Sequence, residues 1–579
     1  MNSFFIPEMA TRCCLARLVK RYAFFFSFII LALVTSSRAD EHAPAVPPAT
    51  PATLPAKHLI LIVADGMQLE HERAANRYLF GNLVSGLAHW NFEYRGAATT
   101  WDVTTYNRNA LAAGKGIFPG DGAPRDGAAF NPLLGYDPER GGSAPYPLDV
   151  SGDTAYYGTR LKDGMPGRPK YPGTDSASAA TVLATGFKTD DGNISWRTGD
   201  PDGGRLTTIA EMYRRQGKAS IGIVSTVPFS HATPAAFVSH NRNRRNFQEI
   251  ASEILSEFKP EVVISGGHPL FSGTDSAEQF RFISARLYQS MRLKGEYAVA
   301  ERTRGLDGGR ILAQKAEEAV RGGKKLFGLF GGSGGNFEFH RPTGDGTALI
   351  ARGSTENPTL AEAARAALKV LSRNPNGFFL MIEQGDIDWS NHDNDFAGMI
   401  GGVWDLDGAV KAVEAFVDCP GDDVTWQNTL LIVTADHANS FMRLSSDPAK
   451  QLGMGRLPRQ QRKAGDSGRN PAGEWDYPDG EVAYGFDGKG VNAHTNEPVT
   501  VYARGAGSFL FRNFEGVWYP GTKLLDNSHV FRVMLKALGL NDENLAGAER
   551  PGKAAPLSEG APIPVNPPSD PRQPAPAGQ

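Results

Sequence analysis

HLILIVADG, residues 58–66, is an apolar run that stops at an acid. Nothing polar interrupts it between Leu59 and Ala64, so a strand here has to be buried on both faces, as in a parallel sheet covered by helices on each side. The pattern recurs in GFFLMIEQGDID (377–388), which reaches Glu383 and Asp388, and in TLLIVTADH (429–437), which ends in Asp436 and His437. Amphipathic helical patterns precede two of these strands, at Leu360 to Ser372 and at Trp404 to Val417, the second with Ala409, Val410, Val413, Phe416 and Val417 on one face. The sequence therefore predicts an α/β fold with a large, mostly parallel central sheet flanked by helices on both faces. In such sheets ligands bind beyond the carboxyl ends of the strands, where these acids fall.

A single Asp after a strand is ordinarily a turn or cap residue. Three strands ending in carboxylates, two of them accompanied by histidine, point to a metal. Asp388 and His392 are four residues apart and share a face if that segment is helical. Asp436 and His437 offer adjacent oxygen and nitrogen donors, and His494 in VNAHTNEP adds another from far along the chain. Asp, Glu and His without Cys suit Zn²⁺ or Mg²⁺ in an open, catalytic site. Other histidines, including His240 and His529, read as structural or surface residues.

The tetrapeptide TDSA occurs twice, around Ser176 and around Ser276. After Ser176 a small-residue helical run extends to Gly186, so Ser176 is expected at a helix N-terminus, where unpaired N–H groups and the helix dipole favour an anion. After Ser276 an ordinary capped helix explains the residues equally well.

The 579-residue chain is 41% hydrophobic and 21% charged, enough for a large core. Arg12, Arg17, Lys20 and Arg21 precede an apolar run from Tyr22 to Val34 and then Ser37-Arg38-Ala39. Residues 1–39 are accordingly expected to be a signal peptide, removed on export to the periplasm or outside, with no stable membrane anchor left. Removal takes Cys13 and Cys14, leaving Cys419 and no internal disulfide. The leader is net basic, so the remaining chain is more acidic than the formal −3 of the whole, which argues against nucleic-acid binding. Residues 40–56 read as an Ala/Pro-rich linker, 57–545 as one catalytic unit, and 546–579 as a Pro-rich disordered tail.

Six motifs then stand in a telling order: ADGM at Asp65, TDSASAAT at Ser176, HATPAAFVSHNRNR from His231 to Arg244, EQGDIDWSNH from Glu383 to His392, TADH at Asp436 and His437, and AHT at His494. Together they make the chain resemble the alkaline phosphatase family across most of residues 57–545. The resemblance implies a phosphomonoester hydrolase that forms a phosphoserine at Ser176, settling the choice between the two TDSA copies. It implies one Zn²⁺ at Asp388, His392 and His494, and a second at Asp65, Asp436 and His437 with the Ser176 oxygen. A third metal, usually Mg²⁺, falls near Asp65, Thr233 and Glu383. Arg244 stands in the register of the arginine that clamps two phosphate oxygens, with Arg242 and Arg245 close by.

The sequence departs from the best-known members at His231 and Trp389, substrate-side positions that can be Asp and Lys, and at Asn439 and Asn496. His231 leaves the identity of the third metal open. Residues 101–170, 266–350 and 440–490 match poorly and are expected to be loops and a crown-like insertion. The expected partners are small phosphate monoesters, and a homodimer is compatible with the sequence. A phosphodiesterase of the same superfamily and a non-catalytic periplasmic phosphate-binding protein are the rival readings. A sulfatase is disfavoured because Ser176 lacks the Cys/Ser-x-Pro-x-Arg setting.

Overall fold

The computed structural model describes residues 55–104, 173–271, 279–332, 334–418, 423–462, 475–484, 493–518 and 521–546. The segment expected to be a signal peptide, the expected linker up to residue 54, the expected tail beyond residue 546, Ser276, Cys419 and most of 101–170 lie outside the described residues. Among the described residues, no helix is long and apolar enough to cross a membrane.

The main sheet contains ten strands: β1 His58–Ala64, β2 Tyr94–Thr99, β3 Ser220–Pro228, β4 Val262–Gly266, β5 Tyr297–Glu301, β6 Lys325–Leu329, β7 Phe378–Gln384, β8 Thr429–Thr434, β9 Val499–Gly505 and β10 Leu524–Asp526. Their spatial order is β10-β2-β9-β8-β1-β7-β3-β4-β6-β5. Among the described residues of this sheet only β9 runs against its neighbours, and the other pairings within the sheet are parallel. The longer α-helices among the described residues are α1 Leu69–Phe80, α2 Ser176–Thr185, α3 Ile209–Gly217, α4 Ala232–Val238, α5 Phe247–Ser252, α6 Ala285–Leu293, α7 Gly308–Gly322, α8 Leu360–Leu371, α9 Asp386–His392, α10 Phe396–Asp418 and α11 Ser528–Leu538.

The central strands follow directly from their composition. Every residue of β1, β7 and β8 is buried, which requires cover on both faces of the sheet. Burying Leu, Ile, Val and Phe side chains of this kind contributes about 1.5–3 kcal/mol each before chain entropy is counted. Register then sets the chemistry. Val63 pairs with Thr434 on one side and with Glu383 on the other. Asp65, Asp436 and Glu383 therefore arrive together at the carboxyl ends of three central strands.

One sequence expectation needs correction. Residues 285–329, inside the stretch expected to be loop, form α6, β5, α7 and β6 and extend the sheet past β4. Five-residue strands separated by a helix give only a short apolar signal, yet β6 pairs with the side of β4 away from β3, and β5 pairs in turn with β6. Of the segment expected to be a linker, only residues 55 and 56 are described. Ala56 is 4% exposed and its N–H donates to Ala537 O at 2.6 Å, so this end of the segment is tied to α11. The 440–490 stretch carries only two-residue ribbons and a short 3₁₀ turn among its described residues.

Candidate active site

Ser176 opens α2, as its sequence context predicts. Asp175 is the N-cap, accepting from Ser178 N at 2.9 Å, and Gly186 closes the helix in the left-handed conformation. The Ser176 hydroxyl points to β8's extension, with Oγ 3.1 Å from His437 Nε2.

His437 belongs to one of two ligand clusters. Asp65, Asp436 and His437 bring one donor atom each within 4.8 Å of one another, and Asp388, His392 and His494 do the same. In the first cluster His437 Nε2 lies 3.3 Å from Asp65 Oδ1 and 3.3 Å from Asp436 Oδ2. In the second, His392 Nε2 lies 3.3 Å from Asp388 Oδ2 and 3.2 Å from His494 Nε2, which is itself 3.4 Å from Asp388 Oδ1. The helical spacing predicted for Asp388 and His392 is realised in α9. The His437 and His494 rings stack at 3.6 Å and join the two clusters.

Outer contacts aim these donors. His494 Nδ1 sits 2.6 Å from Thr174 O, and His437 Nδ1 lies 3.3 Å from Ala438 O. A carbonyl can only accept, so Nδ1 carries the proton and Nε2 presents its lone pair to the cluster. Asn439 Nδ2 donates to Asp388 Oδ1 at 2.6 Å. Gly66, with φ of 69°, donates its N–H to Asp436 Oδ1 at 3.1 Å. A Cβ on Gly66 would lie 2.6 Å from Asp388 Oδ1, so the ADG motif needs glycine for close approach as well as for the turn.

The electrostatics call for cations. Asp65 Oδ1, Asp436 Oδ2, Glu383 Oε1 and Thr233 Oγ1 are buried oxygens without a hydrogen-bond partner. Burial, then the charges of Asp436, Asp388 and Glu383, push the Asp65 carboxyl well above the usual range. Burial and the Asp388 charge do the same to Asp436, and burial raises Glu383 to about 7. Burial also opposes the charge on Asp388, but His392 and His494 outweigh it and hold that carboxyl low. Oxygen and imidazole donors without thiolate, with unsatisfied buried oxygens, fit Zn²⁺ and Mg²⁺.

Arg244 is 5% exposed and donates from Nη1 to Asp175 Oδ2 at 3.0 Å, one residue from Ser176. Arg242 instead pairs with Asp202 and lies over the Trp196 ring. His231 occupies the N-cap position of α4 without a side-chain capping bond, two residues before Thr233, and its ring packs between Phe247 and Trp389, with centroids 6.0 and 5.8 Å away. Sequence reading missed Asp175 as the support of Arg244 and Asn439 as the support of Asp388. An Asp directly before a helical Ser signals a cap, but the second role depends on a tertiary partner.

The family described as alkaline phosphatase matches residues 161–474 of this chain. Streptomycin-6-phosphate phosphatase of Streptomyces griseus is 30% identical over 426 residues, covering 68% of this chain and 83% of that protein. Alkaline phosphatase 4 of Bacillus subtilis is 30% identical over 290 residues, 49% of this chain and 53% of its own length. The chain thus spans about half the length of that relative. Among solved structures, the Thermus thermophilus alkaline phosphatase superposes with a TM-score of 0.52 at 21% identity, covering 85% of this chain and 93% of that one. The cold-active enzyme from Shewanella sp. gives a TM-score of 0.50 at 20% identity, over 83% and 99%. At these identities the two structures establish likeness of fold.

Proposed function

Since the chain belongs to the alkaline phosphatase family, we propose that it is a metal-dependent phosphomonoester hydrolase acting through a phosphoserine at Ser176. The observation that carries this reading is the Ser176 hydroxyl at a helix N-terminus, 3.1 Å from a histidine of one ligand cluster and adjacent to the buried Asp175–Arg244 pair. Asp388, His392 and His494 would hold one Zn²⁺; Asp65, Asp436 and His437 a second; and Asp65, Thr233 and Glu383 a Mg²⁺ or third Zn²⁺. When bound, these ions supply Lewis acidity that makes the serine alkoxide accessible near neutral pH and neutralises charge on the phosphoryl oxygens.

The residues of the chain do the rest. Ser176 Oγ attacks phosphorus in line; the new O–P bond forms as the ester O–P bond breaks and the alcohol departs. Arg244, oriented by Asp175, binds two non-bridging oxygens of the phosphoryl group with its planar guanidinium. The N–H groups of the first turn of α2 face the same negative charge. Water then cleaves the phosphoserine and releases inorganic phosphate. The reading includes export, supported by the charge and apolar pattern of residues 1–39.

A chromogenic phosphate monoester, a diester and a sulfate ester, each assayed with and without chelator, test the proposal. The monoester should be hydrolysed fastest and only with metal, and Ser176→Ala should lose at least about 10³-fold in rate. Preference for the diester would favour the phosphodiesterase, and phosphate binding without turnover of any ester would favour a binding protein.

A further inference from the structure

His240, set aside by sequence reading as a structural histidine, holds the base of the loop that carries Arg244. It is 6% exposed and follows α4, four residues before Arg244. Its Nδ1 lies 2.8 Å from Glu253 Oε1, at the start of the π-helical turn Glu253–Phe258 that continues α5. Its Nε2 lies 2.9 Å from Leu206 O and 3.5 Å from Glu211 Oε2 on α3. A carboxylate and a carbonyl can only accept, so both ring nitrogens must donate, and only the imidazolium has two N–H groups. The structure therefore calls for a cation here on geometry alone.

The loop beyond it is tied down at successive points. Asn241 exchanges two backbone hydrogen bonds with Ile194, at 2.9 and 2.8 Å, and Arg244 N donates to Gly192 O at 2.8 Å. Gly192 N in turn donates to Asp175 Oδ2 at 3.1 Å, the oxygen that also holds Arg244. His240 thus fastens to α3 and to the π-helical turn after α5 the start of a loop whose far end positions the guanidinium beside Ser176.

We propose that His240 is a positioning residue whose positive charge pins the Arg244 loop, so that phosphate is held tightly while His240 is protonated and released more readily once it is not. This rests on Arg244 being the phosphate clamp of the proposed function. The charged groups facing the site are Glu211 on α3, Glu253 beyond α5, Arg205 at 3.3 Å from Glu253, and Arg215 at 3.9 Å from Glu211. Burial opposes the charge on His240, but its hydrogen bonds to Glu211 and Glu253 and their charges outweigh burial and raise it to about 9. Loss of the proton sets a nitrogen lone pair against Glu253 Oε1 or Leu206 O, and the loop base has to move away.

The test is binding of inorganic phosphate to the metal-loaded full chain, by calorimetry and by competitive inhibition, from pH 8 to 10.5. In the wild type the dissociation constant should rise about threefold to tenfold through an inflection near pH 9. Glu253→Gln keeps the side-chain size but removes one negative charge from the imidazole, and should move that inflection to lower pH. His240→Gln should bind phosphate weakly throughout and lack the inflection; if it does not fold, Glu253→Gln carries the test. An inflection unmoved in Glu253→Gln overturns the proposal. Arg244→Ala separates the two readings: unchanged phosphate affinity in that variant defeats the clamp itself, whereas weakened affinity together with an unmoved Glu253→Gln inflection defeats only the role of His240.

Discussion

His231 and Trp389 stand beside the proposed site, with ring centroids 5.8 Å apart, and their chemistry bears on the proposed third metal and on the product. Burial, then the charges of Arg244 and Arg281, hold the His231 imidazole well below its ordinary range, so it contributes no charge. Mg²⁺ prefers hard oxygen ligands in an octahedron and keeps waters that a carboxylate can orient, whereas a neutral imidazole better suits Zn²⁺. His231→Asp should therefore tighten Mg²⁺ at the third site by about tenfold, read by titrating metal-depleted protein; a wild type that already binds Mg²⁺ as tightly counts against it. Trp389 is buried and apolar where a lysine would bring a point charge toward phosphate. Trp389→Lys should lower the phosphate inhibition constant, and an unchanged constant would show that position 389 does not face the product. Ser176 differs from these two in legibility, because its helix and its C-terminal glycine are local signals. Arg244 was singled out by the register of the family motif, since composition does not separate three arginines within four positions; their tertiary partners do differ, Asp175 for Arg244 and Asp202 for Arg242.

Helix α2 couples a local device to a distant one through Asp175. One carboxylate oxygen caps the helix through Ser178, while the other receives Gly192 N and Arg244. Burial opposes its charge, but Arg244 and the Ser178 hydrogen bonds outweigh that and hold the carboxyl low. Asn caps helices about as well as Asp, so Asp175→Asn keeps the cap and removes the charge that steadies the guanidinium. That variant should lose phosphate affinity by about tenfold while its cap contribution changes by less than about 1 kcal/mol; Asp175→Ala should lose both. Paired phosphate titrations and chemical denaturation separate the effects, and equal phosphate affinity in Asp175→Asn and wild type would remove Asp175 from the clamp. The cap was written in the sequence as an Asp before a helical run, whereas the Arg244 contact spans sixty-nine positions and leaves no local trace. Helix α9 was legible for the opposite reason: its two ligands are four residues apart. Strands β5 and β6 were not, since five residues of modest hydrophobicity become strands only beside an existing edge.

The main sheet, ten-stranded among the described residues, gathers at the carboxyl ends of its central strands acids that repel one another in the folded chain. Continuous apolar composition made its central strands and their terminal acids readable, but the sequence could not give the register that aligns Val63 with both Thr434 and Glu383. This convergence makes metal binding a property of the whole fold, because the unfolded chain has no such cluster. A ligand that binds only the folded state stabilises it by about 2.7 kcal/mol per site when free metal is a hundredfold above its dissociation constant. Chelation should therefore lower the melting temperature by on the order of 5 °C or more, and added Zn²⁺ should restore it. Asp436→Asn sharpens the test. Asp436 Oδ1 accepts from Gly66 and His437 backbone N–H groups, which an amide oxygen can still satisfy, while Oδ2 has no donor and faces the cluster. The amide removes one of the crowded charges and also a ligand. Metal-free Asp436→Asn should melt at or above metal-free wild type, whereas with Zn²⁺ present the order should reverse. A wild-type melting temperature indifferent to chelator, or a Zn²⁺-induced gain as large in Asp436→Asn as in wild type, would show that these carboxylates do not form the ion site.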